Sequence, residues 1–511
     1  MPGFRLLTHH VGKVLTVSTL IGITGGSLVL LQKNEWNIST LGLLRFGRAA
    51  KSVAVCVADY KWNLRGLDPK TDKYWKVKSQ VGQHLGALEY LLPVEYVETM
   101  KVLHSDAPQS PKEDLFKVIK EDLGKDVDEI FTNFEDKPLG AASLAQVHKA
   151  KLKDTGTVVA VKVQHPRVKA HSVVDMATME LLVHLVSWIF PEFNLIWLAE
   201  ETKKNFPIEL DFYNEAKNCE RMKELLSYCD YLKIPKVYWD FTTNRVLTME
   251  YCEGAQVNDV EYIKDNNISV NEISEKLGEL YSEMIFVHGY VHCDPHPGNV
   301  LVKNTPKGVQ LVLLDHGLYQ TLTDEFRLDY CKLWKAIIGT DMDRIKKYSE
   351  RIGIGRLYPL FACMVTARSW SAISKGVDKL EFTKSEEEEI QNNVSSYLSE
   401  ISEILNTVPR QMLLIFKTND LLRGIETHLK TRAMASSFIT MSRACLRSIF
   451  SHKRNKCQTW LCRLHTTIVE QYYLFMLSAY KLYLWFRETP LGHHLTWTQD
   501  ATVIEFKLNS S

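Results

Sequence analysis

The sequence lacks an excess of charge of either sign. Of its 511 residues, 62 are Lys or Arg and 61 are Asp or Glu, so the formal net charge is +1. Proteins that grip nucleic acid by its phosphates carry a surplus of basic residues, and this composition gives no support for such a partner. The apolar share of 45% is ordinary for a globular protein. The length exceeds one typical domain and predicts two lobes with extensions.

Cysteine is sparse, with ten residues spread along the chain. No two have a convincing metal-ligand spacing, and Cys457 and Cys462 are the closest pair. Scattered cysteines are typical of buried thiols in a reducing compartment rather than of a disulfide framework. We therefore expect mostly free thiols.

Acidic residues are missing from the first 34 positions, which include three basic ones. Within them, Val14 to Leu31 is an apolar stretch of 18 residues interrupted by Thr, Ser and Gly. A basic start without acids is typical of a mitochondrial presequence, and the apolar length is near the lower limit for a membrane anchor. A secretory signal conflicts with the cysteine usage, and an apolar helix packed on the domain is the remaining alternative.

The patterns further along predict a β-rich part followed by a helical part. Gly140 to Gln164 is typical of a hairpin ending in an apolar strand, and Val237 to Tyr251 of two strands. Glu200 to Leu226 predicts one long helix, bent at Pro207. Two short apolar strands are expected between Val291 and Asp315, and helices dominate the rest.

The segment from Trp460 to Phe486 is rich in Tyr, Leu and Trp at helical spacing. One interpretation is a helix packed on the domain. The other is a membrane-facing surface assisted by the basic residues Lys453, Arg454 and Lys456.

Phosphoryl transfer requires a cation on the phosphates, carboxylates and amides that hold Mg²⁺, and a group that orients the acceptor. Lys162 lies inside the apolar run Val159 to Val163. A lysine there is costly unless it meets an anion, and its strand follows a hairpin as does the phosphate-pairing lysine of kinases. The alternative is an edge-strand lysine whose amine reaches solvent.

The run His292-Cys293-Asp294-Pro295-His296-Pro297-Gly298-Asn299 carries the strongest signal in the chain. An Asp five residues before an Asn, in a loop entering an apolar strand, repeats the kinase catalytic-loop spacing. Asp294 would orient or deprotonate an acceptor, and Asn299 would hold a metal ion. A zinc site is the alternative, but the prolines restrict the loop and no second ligand pair is near in sequence.

A second motif follows at short range, where Leu313-Leu314 leads into Asp315-His316-Gly317. A strand that ends in Asp before a Gly is the kinase metal-binding arrangement, with His316 where Phe is usual. Taken alone it could be an ordinary exit from a strand, but its position after Asn299 favours a functional Asp315.

Two further segments complete the set of candidates. Glu209, Asp211 and Glu215 form an acidic segment in which Asp211 and Glu215 share a face if the segment is helical, and one acid would pair with Lys162. A solvated acidic face is the alternative. Gly140-Ala141-Ala142-Ser143 lies where a glycine-rich phosphate loop is expected, with alanines in place of glycines.

Together these motifs resemble the UbiB family of atypical kinases, also called the aarF-domain-containing kinases. The resemblance covers roughly Gly82 to Leu333. It implies an α+β, bilobal protein-kinase-like fold with a helical N-terminal extension, here followed by a helical C-terminal tail. The family is associated with nucleotide binding, ATPase activity, and coenzyme Q and lipid homeostasis in mitochondria, plastids and bacteria.

The resemblance also implies roles for individual residues. Lys162 would pair with Glu215 and the phosphates, Asp294 would be the catalytic aspartate, and Asn299 and Asp315 would hold Mg²⁺. The nucleotide, ATP or ADP, would further meet the residues Gly140, Ala141, Ala142, Ser143, Glu209, Asp211 and Glu250 to Cys252, the last three forming the adenine hinge. The implied partners are nucleotide and a mitochondrial membrane surface or lipid, without nucleic acid.

One position departs from the family pattern. The family extension carries Lys-x-Gly-Gln, whose lysine meets the Glu-x-Asp acids in the nucleotide site. Here the matching stretch begins with Gln80, and Lys78 is the nearest substitute. This change predicts that Glu209 loses its partner and that regulation or nucleotide preference is altered.

The expected organisation has five parts. They are a targeting or anchoring segment (1–35), a helical extension (36–125), a kinase-like N-lobe (126–255), a C-lobe (256–450) and a helical tail (451–511). The leading hypothesis is a Mg-ATP-dependent atypical kinase or ATPase acting in mitochondrial membrane lipid or coenzyme Q homeostasis. A nucleotide-binding pseudokinase scaffold at that membrane is the second hypothesis, and a small-molecule phosphotransferase is the third.

Overall fold

The computed structural model describes residues 109–488, apart from 143, 167, 190–195, 367, 376–397 and 432–433. The chain divides into two compact units. The first contains the described residues up to Phe212 with Asp240–Thr248 and Val394–Ser402, and the second contains Tyr213–Trp239, Met249–Asn393 and the remainder from Glu403. The targeting segment, Gln80 and most of the predicted extension lie outside the described residues, and the five-part division stays a prediction.

The first unit is built on a five-stranded sheet in the order β1-β3-β4-β6, with β2 beside β3. Its elements are α1 (Lys112–Leu123), α2 (Val127–Ile130), β1 (Phe131–Phe134), β2 (Gly140–Ala141), β3 (Ala145–Leu152), β4 (Val158–Gln164), α3 (Val168–Ile189), α4 (Ile196–Glu209) and β6 (Val246–Glu250), whose last two residues belong to the second unit.

The predicted hairpin is confirmed as the antiparallel pair β3–β4. The turn between them contains Gly156 at φ +68°, a left-handed conformation that glycine adopts without a steric penalty. Val161 and Val163 are fully buried on either side of Lys162, which sets that lysine into an apolar strand as expected.

The second unit contains two smaller sheets among many helices. Its four-stranded sheet has the order β5-β10-β9-β7, and β8 pairs with β11. Its elements are α5 (Phe212–Leu225), β5 (Leu232–Lys233), β7 (Ala255–Gln256), α6 (Val260–Asp265), α7 (Val270–Ser282), a π-helical turn (Glu283–His288), β8 (Tyr290–His292), β9 (Val300–Thr305), β10 (Gly308–Leu313), β11 (Tyr319–Thr321), α8 (Asp324–Ile338), α9 (Met342–Ile352), α10 (Tyr358–Thr366), α11 (Trp370–Lys375), α12 (Leu398–Thr407), α13 (Arg410–Leu429), α14 (Met434–Lys456) and α15 (Trp460–Glu488). Phe212 of α5 and the first half of α12, up to Ser402, belong to the first unit.

Two predicted elements were wrong in detail. The segment from Glu200 to Leu226 is two helices, α4 and α5, and Pro207 lies inside α4 without ending it. The break comes at Asp211, because the Phe212 amide donates to the Asn244 carbonyl, 3.1 Å away, instead of continuing the helix. Asp211 and Glu215 therefore do not share one helical face.

The segment from Val237 to Tyr251 contains one strand, β6, rather than two. Val237 forms only an isolated bridge with Met249. A 3-10 turn, Trp239–Phe241, follows it and prevents a longer pairing. The two strands expected before Asp315 are confirmed as β9 and β10. They pair antiparallel, with Val300 opposite Leu313 and Thr305 opposite Gly308.

The main apolar core of the second unit lies among its helices. Tyr330, Trp334, Phe361 and Ile415 are buried within it. Among the described residues, no helix combines the length and the apolar character needed to cross a membrane.

The cysteines largely follow expectation. Seven described cysteines are free, and five of these are buried. Cys457 and Cys462 instead form a disulfide, so the expectation of free thiols is wrong for this pair. The turn from α14 into α15 places their Cα atoms 5.6 Å apart, which suits a disulfide.

Candidate nucleotide site

The loop with the strongest sequence signal connects β8 to β9 in the second unit. Its last residues, Pro297–Asn299, form a 3-10 turn that enters β9 at Val300. His296 caps this turn, since its Nδ1 accepts the Gly298 amide at 3.1 Å. The prolines and this cap give the loop a fixed path between two strands.

His292 anchors the start of the loop. Its side chain is fully buried, with Nε2 2.5 Å from the Asp315 carbonyl oxygen and Nδ1 3.0 Å from the Tyr281 hydroxyl. Burial lowers the pKa of His292, so the ring is neutral at physiological pH. Because a carbonyl only accepts, Nε2 carries the proton and Nδ1 accepts from Tyr281.

Asn299 and Asp315 are brought together by the β9–β10 pairing. The Leu314 amide donates to the Asn299 carbonyl at 3.0 Å. Asp315 is the next residue after Leu314, so this bond brings it next to Asn299. Asn299 Nδ2 donates to the Asp294 carbonyl at 3.0 Å, and Gly317 N donates to Asp315 Oδ1 at 2.9 Å. The structure thus joins Asp294, Asn299 and Asp315 through backbone and side-chain hydrogen bonds.

The donor set in this arrangement fits a magnesium ion. The side-chain nitrogen of Asn299 donates to the Asp294 carbonyl, and this bond turns the side-chain oxygen of Asn299 away from that carbonyl. Mg²⁺ prefers oxygen ligands and is commonly held by one or two protein groups together with nucleotide phosphates and water. Among the described residues, no group of three or more His, Cys, Asp or Glu side chains could hold a metal, so the zinc alternative gains no support.

The Asp294 carboxylate has a partner that the sequence did not indicate. Lys417, on α13, places Nζ 2.9 Å from Asp294 Oδ1, whereas His296 Nε2 is 3.8 Å from Oδ2. Both members of the Lys417 pair are partly exposed, at 47% and 34%. Lys417 lies far from the loop in the sequence, and no local pattern marks it.

Glu215 and His316 form the buried back of the Asp315 turn. Glu215 is 2% exposed, and its Oε1 accepts the His316 amide at 3.4 Å. The His316 ring stacks on Tyr319, and its Nδ1 is 2.7 Å from the Tyr319 hydroxyl. A histidine can replace the usual Phe here because its polar atoms are paired with Tyr319 and the Leu313 carbonyl.

Lys162 lies in β4 of the first unit, opposite Val147 of β3. Its Nζ is 4.9 Å from the centre of the Phe212 ring, which is a cation–π contact. The pairing of Lys162 with Glu215 stays a prediction.

The alanine-rich segment is a tight β2–β3 hairpin in front of that strand. Gly140 pairs with Val147, and the Ala142 amide donates to the Ala145 carbonyl at 2.9 Å. Ser143 lies outside the described residues. The hairpin occupies the expected place in the chain, but the Ala142 amide is already used within it.

The remaining candidates lie apart from the Asp294 loop in the sequence. Glu250 forms an ion pair with Lys233 at 2.7 Å. Burial opposes its ionisation, but hydrogen bonds from Lys233 and the Lys236 amide lower the pKa of Glu250 overall. Burial raises the pKa of Cys252 to about 11, which keeps that thiol protonated. Their role as the adenine hinge, and the roles of Glu209 and Asp211, stay predictions.

Comparison with known proteins shows the family of the chain. Residues 102–349 match the model of the ABC1 atypical kinase-like domain. The chain is 52% identical over 505 residues to the AarF domain-containing protein kinase 1 of Gallus gallus, covering 94% of this chain and 97% of the relative. The chain belongs to the AarF domain-containing family of ABC1 atypical kinases. The resemblance seen in the motifs and the α+β kinase-like fold are thereby confirmed.

Two other similarities accompany the AarF domain match. The mouse AarF domain-containing protein kinase 1 is 50% identical over 498 residues, which cover 93% of this chain and 95% of the relative. A solved structure, the complex of Rv3197 with erythromycin from Mycobacterium tuberculosis, covers 68% of this chain and 87% of its own, with 21% identity and a TM-score of 0.45.

Proposed function

We propose that this protein is a Mg-ATP-dependent atypical kinase or ATPase of the UbiB type that acts at a mitochondrial membrane, in lipid or coenzyme Q homeostasis. The observation that carries the proposal is the joining of Asp294, Asn299 and Asp315 by the His292 anchor and the β9–β10 pairing. Family membership supports nucleotide and Mg²⁺ use. The mitochondrial and lipid setting rests on the N-terminal sequence and the family resemblance.

In this proposal Asn299 and Asp315 would hold Mg²⁺, and the ion would supply positive charge beside the nucleotide phosphates. Asp294 orients the attacking hydroxyl or water and accepts its proton. Lys417 keeps a positive charge beside that carboxylate, where negative charge grows on the transferred phosphoryl group.

A pseudokinase scaffold remains the second candidate because of one observation. The Ala142 amide is bonded within its hairpin, and so is the Leu139 amide, which donates to Val147 at 2.7 Å. Backbone amides that already donate hydrogen bonds within the hairpin are not available to bind phosphate oxygens. Such a protein binds nucleotide and changes shape without turnover.

The test is release of inorganic phosphate from ATP by the purified full chain, with and without Mg²⁺ and anionic liposomes. We expect Mg-dependent turnover that falls at least about 100-fold in Asp315→Asn and in Asp294→Asn. Thermal stabilisation by ATP without any turnover favours the scaffold. Turnover that survives in both variants refutes the assignment of the site.

A further inference from the structure

The tail helix α15 carries a stripe of large apolar side chains that are exposed in the part of the chain that the structure describes. Trp460 is 70% exposed and Phe475 is 68% exposed. The exposed large apolar residues of α15, which we call the tail face, are Trp460, Leu461, Leu464, Ile468, Tyr472, Phe475, Leu482 and Phe486. From Leu461 onward their spacing places them within roughly 80° of arc, as 3.6 residues form one turn.

The opposite side of α15 is the side that packs on protein. Glu470 is 5% exposed and forms an ion pair with Arg454 of α14. The Tyr473 ring lies 5.8 Å from Phe450 of the same helix. The tail face is therefore directed away from α14, and it runs along most of the length of the helix.

The two tail helices also carry an unbalanced positive charge. Between Met434 and Glu488 the only acids are Glu470, which is buried and paired, and Glu488, the last residue of α15. Eight basic residues share this segment: Arg443, Arg447, Lys453, Arg454, Lys456, Arg463, Lys481 and Arg487. Lys453, Lys456 and Arg463 are exposed and lie within seven residues of Trp460 in the sequence, around the start of the tail face.

We infer that the tail face docks on an anionic lipid bilayer, with α15 lying in the plane of the interface. Apolar and aromatic side chains in one stripe, beside exposed Lys and Arg, match the acyl boundary and the lipid phosphates respectively. The charge argues against a second copy of this chain as the occupant, because two such surfaces repel each other. This inference rests on the membrane setting of the proposed function, but not on nucleotide turnover.

The test is flotation of the full chain, without nucleotide, on phosphatidylcholine vesicles with and without phosphatidylglycerol. We expect binding only to the anionic vesicles. The double variant Ile468→Glu/Phe475→Glu should weaken the partition by about 100-fold, since each buried apolar side chain contributes about tenfold. Lys453→Gln and Lys456→Gln should each weaken it about fivefold.

The matched control is Val173→Glu/Leu181→Glu on α3. Those residues are 69% and 55% exposed, so the control adds the same charge to equally exposed apolar positions. It should bind as the wild type does. Equal binding by the tail-face variant, or equal binding to both vesicle types, overturns the inference. So does a wild-type dimer, seen by light scattering, that the tail-face variant dissociates.

A second measurement needs no variant. Hydroxyl-radical footprinting of the wild type should show less oxidation of Trp460, Tyr472 and Phe475 when anionic vesicles are added, with Tyr213 as an exposed internal reference. Unchanged oxidation at all three contradicts the docking. Because neither measurement uses ATP, loss of turnover in solution and loss of vesicle binding report separately on the proposed function and on this surface.

Discussion

Replacing Lys417 by Met should lower nucleotide turnover far more than it lowers stability. The ion pair between Lys417 and Asp294 is short, at 2.9 Å, but both side chains are substantially exposed. Exposed pairs contribute about 0.2–1 kcal/mol to the free energy of unfolding. A change of that size shifts the melting temperature of a domain this large by at most about 4 °C.

The expected effect on chemistry is larger because of where the charge lies. If Lys417 stabilises the phosphoryl group as it transfers, its loss removes a contact made mainly in the transition state, worth about 100-fold in kcat. KM for ATP should change little. The assay is phosphate release under saturating Mg-ATP, with melting of each variant followed in parallel.

Two variants make the comparison specific. Lys417→Arg keeps the charge and should retain part of the activity. Lys346→Met removes an exposed lysine from α9 and should leave turnover unchanged. Unchanged or faster turnover in Lys417→Met refutes the reasoning, since it means that the lysine only ties up the Asp294 carboxylate.

Three further outcomes are expected. Burial lowers the pKa of His292 below its usual 6.5, so below that pH the unfolded chain binds a proton that the folded chain does not. The free energy of unfolding should therefore fall as the pH drops below 6.5. In urea titrations at several pH values, His292→Gln should reduce this fall. Gly254→Ala should cost roughly 1–3 kcal/mol in the same assay, since φ is +147° and its Cβ would lie 2.9 Å from the Val302 oxygen, whereas Gly355→Ala meets nothing and should be neutral. Gln80→Lys should change ATP affinity or turnover in a nucleotide titration, and identical values for the two forms contradict a role for that position.

The parts of the site that the sequence predicted are those written in local patterns. The Asp294 loop, the Asp315 turn and the Lys162 strand each combine strand periodicity with motif residues a few positions apart. Hydrogen bonding between neighbouring strands of the second unit then places the Asp294 loop beside the Asp315 turn, as the Leu314–Asn299 contact illustrates. In these segments the turn residues and the alternation of apolar residues indicate the same local structure, so one sequence is enough to predict it.

The features that sequence reasoning missed depend on distant residues. The helix break at Asp211 arises because Asn244, on another segment, accepts the Phe212 amide. Lys417 meets Asp294 only after the helices of the second unit have packed. Helical spacing in α15 predicted an apolar stripe. It did not show which side of the helix would pack on α14 and which would stay exposed. Local propensity contains no information about such partners.

The disulfide between Cys457 and Cys462 makes the turn between α14 and α15 sensitive to the redox state of its surroundings. It closes a loop of only a few residues, so it adds little to the stability of the fold and its presence is decided by the redox poise of the compartment. The bridged cysteines flank the start of the tail face. In cells, the oxidation state of this one pair, read by thiol trapping before lysis, would therefore report on whether the compartment that holds the tail helices is oxidising or reducing.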